Sequence, residues 1–130
     1  MMRMPNNTVI DTNILIYYLN KQLPESVKMQ LDEMILSGSS MSIITKIEVL
    51  GWQGHDKESL EKARGLLSLF EEFALNQVIA DYCIQLRMDY KIKLPDAIIA
   101  ATALVNDKVL VTRNVDDFVK VKGLEVFNPL

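Results

Sequence analysis

Four carboxylates in this chain each stand beside a short apolar run, at a point where a strand should hand over to a helix. Asp11 lies in Val9-Ile10-Asp11-Thr12-Asn13, and Glu48 follows Met41-Ser42-Ile43-Ile44-Thr45. Asp96 lies in Leu94-Pro95-Asp96-Ala97, and Asp117 in Thr112-Arg113-Asn114-Val115-Asp116-Asp117-Phe118. In a parallel α/β sheet the strand exits share one edge, so residues far apart in sequence converge there. Several carboxylates crowded together resist ionising unless a cation accompanies them. Magnesium and manganese favour hard oxygen ligands, a few carboxylates completed by water and phosphate oxygens. Such a cluster can position and deprotonate a water for in-line attack on a phosphodiester. The chemistry indicated is metal-dependent hydrolysis.

Taken singly, each acid has an ordinary explanation. Thr45-x-x-Glu48 reads as a capping box. Asp96 follows Pro95 in a first helical turn, where an acid suits the helix dipole. Asn114 three residues before Asp117 reads as a cap with a first-turn acid, and Thr12 or Asn13 can cap the helix after the first strand. Capping accepts any of Ser, Thr, Asp or Asn, however, so it does not account for a full carboxylate at the same edge each time.

The elements that must position these acids follow from hydrophobic patterning. Thr8 to Asp11 reads as a first strand behind a polar start, and Ile14 to Leu19 as a buried helix. Val27, Leu31, Met34 and Ile35 mark a second helix, ended by Ser37-Gly38-Ser39-Ser40. Met41 to Ile44 reads as the second strand, Thr45 to Trp52 as a short helix and Gly51 to Ser59 as a loop. Leu60, Ala63, Leu67 and Phe70 mark a helix, Phe73 to Val78 a short third strand, and Ile79, Tyr82, Cys83, Leu86 and Tyr90 the next helix. Pro95 to Val105 is apolar nearly all round, which requires a central helix covered on both sides. Lys108 to Thr112 is a β-branched fourth strand, one helical turn lies near Asp116, and Leu124 to Phe127 supplies a fifth strand. Strands alternating with helices imply a largely parallel sheet between helical layers.

At 130 residues, with 49% hydrophobic and 24% charged residues, the chain is expected to form a single domain over residues 1–130. No apolar run approaches the ~18–20 residues of a membrane span, and no basic-then-apolar leader precedes Asp11, so a cytoplasmic protein without membrane attachment is expected. The single cysteine, Cys83, excludes an internal disulfide and a cysteine-based zinc site, and it falls on the apolar face of its helix. Asn6-Asn7-Thr8 matches a glycosylation acceptor only by chance in such a protein. The net charge of −3 and pI near 5.1 are unusual for a protein that grips nucleic acid through its backbone. Metal ions and a local basic patch would have to supply the attraction. Lys46 and Arg113 stand near the acids and are the candidate RNA contacts, with Arg87, Lys91 and Lys93 a further patch. His55 sits in a polar loop and reads as solvated, Ser42 has no histidine near it in sequence, and Gly51 and Gly54 match no phosphate-binding loop.

In these four blocks the chain resembles PIN-domain ribonucleases, and within them the VapC-like toxins of toxin–antitoxin pairs. The carriers are Val9-Ile10-Asp11-Thr12-Asn13, Ile43-x-x-x-x-Glu48, Leu94-Pro95-Asp96-Ala97-Ile98-Ile99-Ala100-Ala101-Thr102-Ala103 and Thr112-Arg113-Asn114-x-x-Asp117-Phe118, in order from Thr8 to about Asn128. The resemblance implies a three-layer α/β/α sandwich with a mainly parallel five-stranded sheet, and endonucleolytic cleavage of RNA with Mg2+ or Mn2+. It implies catalytic roles for Asp11, Glu48 and Asp96, with the fourth position at Asn114 or Asp117. Asp11, Asp96 and Asn114 are the expected metal ligands, and Thr112 and Asn13 the expected supports that orient them. It further implies homodimerisation and an antitoxin whose tail blocks the site. Two other readings stand beside this one. The neutral Asn114 and the negative net charge suit a catalytically weak module of the same fold that binds RNA or a protein. A small-molecule phosphohydrolase lacks both a phosphate-cradling loop and an aspartyl nucleophile motif.

Overall fold

The computed structural model describes residues 5–130; residues 1–4, the beginning of the polar start expected ahead of Thr8, lie outside the described residues. β1 (Thr8–Ile10) runs directly into α1 (Thr12–Leu19), followed by α2 (Glu25–Leu36), β2 (Ser40–Ser42), α3 (Ile43–Leu50) and α4 (Lys57–Leu67). β3 (Glu71–Phe73), α5 (Gln77–Asp89), α6 (Leu94–Val105), β4 (Val109–Val111), α7 (Val115–Phe118) and β5 (Val126–Phe127) complete the described elements. The strands form one sheet in the order β3-β2-β1-β4-β5, and every neighbouring pair is parallel. The expected mainly parallel sheet is thus parallel throughout.

Two-residue alternation divides the core. Val9 and Leu110 point to one face, where they pack with Ile79, Cys83 and Leu86 of α5, the alanine-rich α6 and Phe118 of α7. Ile10 and Val111 point to the other, against Ile14 and Leu15 of α1, Leu31 and Met34 of α2, Val49 of α3 and Ala63 and Leu67 of α4. The result is the three-layer α/β/α sandwich expected from the alternation of elements. α6 is buried without interruption from Ala97 to Ala103, and its alanines lack the bulk that would hold it away from the sheet and α5. Among the described residues no helix is long and apolar enough to cross a membrane.

Several boundaries differ from the sequence expectation. β2 ends at Ser42, and Ile43 and Ile44 open α3, because the Ser42 hydroxyl accepts the Ile44 N–H at 3.1 Å. The Thr45–Glu48 capping box therefore does not form, since both residues lie inside a helix already capped. β3 lies at Glu71–Phe73, ahead of the expected Phe73 to Val78, and Asn76 instead caps α5 by accepting the Ile79 N–H at 2.9 Å. The strand was hidden because it is a sheet edge, where exposed glutamates replace the apolar alternation. α4 begins within the expected loop, where Asp56 and Ser59 form a reciprocal capping box.

The chain leaves β1 for β2 and β3 on one side, then returns to place β4 on the other side of β1. The strand order therefore reverses between β1 and β4. In open α/β sheets the crevice outside the carboxyl ends at such a reversal is where ligands bind. Asp11 stands at the end of β1 and Thr112 at the end of β4, one step beyond the Ile10–Val111 pair.

Candidate active site

Asp11 is the most enclosed of the acids, with 3% of its surface exposed. Its backbone N–H still belongs to the sheet, donating to the Val111 carbonyl at 2.9 Å. Its side chain caps α1, accepting the Thr12 N–H on Oδ1 at 2.8 Å, while Oδ2 accepts the Thr112 hydroxyl at 2.7 Å. The helix cap is thus the aspartate itself and not Thr12 or Asn13. Burial pushes the Asp11 pKa up to about 6; the Thr112 bond opposes this, Asp96 adds repulsion, the Thr12 N–H opposes, and Glu48 repels further.

Asp96 sits in the first turn of α6 and is half-buried. Its pKa is raised by burial first, then by Asp117 and Glu48, with only Lys93 pulling the other way. Asp96 and Glu48 are thus near enough to Asp11 to repel it, and Asp117 and Glu48 near enough to repel Asp96. Asp96 nevertheless opens a helix that follows α5 and not a strand, and Glu48 lies within α3, so the strand-to-helix handover expected at each acid does not hold for these two. None of the four is in an ion pair among the described residues, where the pairs are Lys28–Asp32, Lys46–Glu72 and Lys62–Glu58.

Glu48 is exposed on α3, and its Oε1 accepts the Thr12 hydroxyl at 2.8 Å. That hydroxyl also lies 2.9 Å from Thr45 Oγ1, and its single proton serves one of them at a time. Thr12 and Thr45 are thus parts of the site that the sequence left as caps. Their signal was spacing: Thr12 follows the first acid directly, and Thr45 is one turn before the second on a helix. Thr112 donates to Asp11 and also accepts the Asn114 N–H at 3.0 Å, so one hydroxyl ties the β4 exit loop to Asp11.

Asn114 is exposed, and its side chain forms no cap bond to α7. Asp117 is exposed on α7. Asn13, exposed on α1, hydrogen-bonds none of the acids among the described residues, whereas the hydroxyl of Thr12 beside it reaches Glu48. Lys46 does not turn to the acids but pairs with Glu72 at 3.0 Å. Arg113 donates to the Tyr17 hydroxyl at 2.7 Å.

His55 is half-buried and hydrogen-bonded, not the freely solvated side chain its polar surroundings suggested. Its Nε2 lies 2.8 Å from the Val49 carbonyl, its Nδ1 lies 2.9 Å from Ser59 Oγ, and its ring meets Trp52 edge-on. Together with Ile16, Leu19, Val49 and Trp52 it lines a mostly apolar cavity of about 230 Å³ that extends to Glu48.

The donor set fits a hard divalent cation: carboxylate oxygens, two aspartates with raised pKa, and no lysine or arginine paired to them among the described residues. Among the described residues no three acidic, histidine or cysteine side chains already gather at ligand spacing. Glu48 is hydrogen-bonded to Thr12, and water and substrate oxygens would have to complete the coordination of a cation, as magnesium commonly requires.

The sequence pattern of the PIN domain matches residues 8–124. Comparison by sequence with curated proteins gives no match. Among solved structures, a toxin–antitoxin complex from Klebsiella pneumoniae is 34% identical, with TM-score 0.77 over 95% of this chain and 98% of that one. VapBC-1 from nontypeable Haemophilus influenzae is 26% identical, with TM-score 0.77 over 94% of this chain and 97% of that one. DNA-bound VapBC from Salmonella typhimurium is 22% identical with TM-score 0.85 over 95% and 98%, a likeness of fold.

Proposed function

Because the chain belongs to the PIN domain family, we propose that it is a metal-dependent endoribonuclease, the toxin of a toxin–antitoxin pair, working in the cytoplasm. The observation that carries this reading is the convergence at the β1–β4 reversal of four carboxylates with no cation paired to them among the described residues. Asp11 and Asp96, with the Asn114 amide oxygen, would hold Mg2+ or Mn2+. Once bound, the metal would neutralise charge on the scissile phosphate and lower the pKa of a water. Thr112 and the Thr12 N–H fix Asp11 in one orientation, so its carboxylate is aligned before substrate arrives. Glu48, steered by Thr12, and Asp117 complete the acid cluster as proton acceptors. The apolar cavity beside Glu48 would let a bound antitoxin insert a side chain and cover the acids.

The deciding experiment is cleavage of total RNA with manganese by wild type and Asp96→Asn, with a chelator control. Discrete fragments are expected from the wild type, falling at least a hundredfold with the variant, as loss of several kcal/mol of charge stabilisation implies. Unchanged cleavage by Asp96→Asn would remove Asp96 from the mechanism. No cleavage together with poor manganese binding would favour the catalytically weak binding module.

A further inference from the structure

The acid cluster creates a difficulty for a ribonuclease: a net negative protein with carboxylates at its centre repels a polyanion, so a cation must stand at the lip of the site. Building on the ribonuclease reading, we propose that Arg113, held in place by Tyr17, is the contact for a backbone phosphate of the RNA strand entering this site. Arg113 follows Thr112, the residue bonded to Asp11, so its backbone is fixed at the mouth of the crevice. Tyr17 lies on α1, the helix that Asp11 caps.

An arginine able to reach a carboxylate gains most by folding onto it. Arg113 forms no ion pair among the described residues, and its guanidinium is spent on a neutral phenol. The guanidinium carbon is 5.4 Å from the centre of the Tyr17 ring while one of its nitrogens is 2.7 Å from the hydroxyl, so it sits at the hydroxyl end of the ring. One of five N–H donors is used, and the charge remains uncompensated. A planar fork anchored at one end and exposed is suited to a phosphate, which it can take with paired hydrogen bonds. Lys46, the other cation expected to meet RNA, is already neutralised by Glu72.

The probe is a fluorescein-labelled single-stranded oligouridylate with magnesium, bound to Asp96→Asn protein so that it stays intact. Phosphate contacts do not depend on base sequence, so the natural target need not be known. Adding Arg113→Ala should weaken binding roughly tenfold, as loss of a charge-assisted hydrogen bond implies. It should also flatten the slope of log affinity against log salt by about 0.7, the value for one phosphate on a single strand. Tyr17→Phe should weaken binding severalfold while leaving that slope intact, since the charge stays but its anchor is lost. Lys46→Ala should change neither. An unchanged slope and affinity for Arg113→Ala overturn the assignment and leave the ribonuclease reading standing. A parent that ignores oligouridylate while the wild type cleaves total RNA overturns it as well. If the wild type neither binds nor cleaves RNA, the ribonuclease reading fails and this inference goes with it.

Discussion

The Thr112 hydroxyl donates to Asp11 Oδ2 across 2.7 Å, joining residues 101 positions apart in the chain. The Thr112 hydroxyl oxygen in turn accepts the Asn114 N–H, so the most buried acid and the loop carrying Asn114 are held by one atom. Hydrogen bonding to a carboxylate favours its ionised form, and here it acts directly against the effect of burial.

Thr112→Val keeps the shape of this side chain and removes the hydroxyl. The Asp11 pKa, about 6 in the native protein, should then rise further, which carboxyl NMR titration of the metal-free protein would read. The lost bond to a charged group should cost about 1.5–3 kcal/mol at neutral pH in urea unfolding. Thr112→Ser should restore most of both. A pKa unmoved by the valine would show that Thr112 does not tune Asp11.

Metal-free protein should lose stability as pH rises from about 4 to about 6. The Asp11 pKa in the folded state is raised above its unfolded value of 3.8, so the folded state binds more protons across this window. Stability from this group is complete below the unfolded pKa and is lost as pH climbs through the folded one. The displacement corresponds to about 3 kcal/mol at most, and Asp96, also raised, acts in the same direction. Chelator-treated samples unfolded in urea across this range would measure it, and Asp11→Asn should remove most of the fall. Manganese should stabilise the protein far more at neutral than at acidic pH, because metal and protons compete for the same oxygens.

His55→Ala should lower stability by about 1–3 kcal/mol while leaving manganese affinity unchanged, because the ring bridges the Val49 carbonyl and Ser59 between α3 and the start of α4. Thermal melts and manganese titration would check the two halves separately. A large loss of metal affinity with unaltered melting would reverse the assignment and bring His55 into the site.

The parallel sheet and the central α6 were legible in the sequence because they depend on local signals. Short apolar runs mark the strands, with Asp11 directly after the first, and Leu94 to Val105 is too apolar to lie anywhere but inside. Where two local signals competed, one sequence alone could not choose between them. Ile43 and Ile44 are β-branched and read as strand, yet the Ser42 cap and the packing of α3 made them helix. Glu71 and Glu72 read as anything but strand, yet main-chain pairing with β2 at the sheet edge needs no apolar side chain.

The ligand types on offer are a matter of sequence alone: with one cysteine and one histidine against these acids, a metal held here would have to rely on oxygen. Tertiary structure decided which neutral partners hold them. Thr12, Thr45 and Thr112 serve three different strand–helix junctions, and a hydroxyl bonds whatever the fold brings within about 3 Å of it. It also decided that Lys46 is neutralised by Glu72 while Arg113 meets the neutral hydroxyl of Tyr17. A charge in a sequence carries its sign but not its partner, because the partner is set by how helices and strands remote from one another pack.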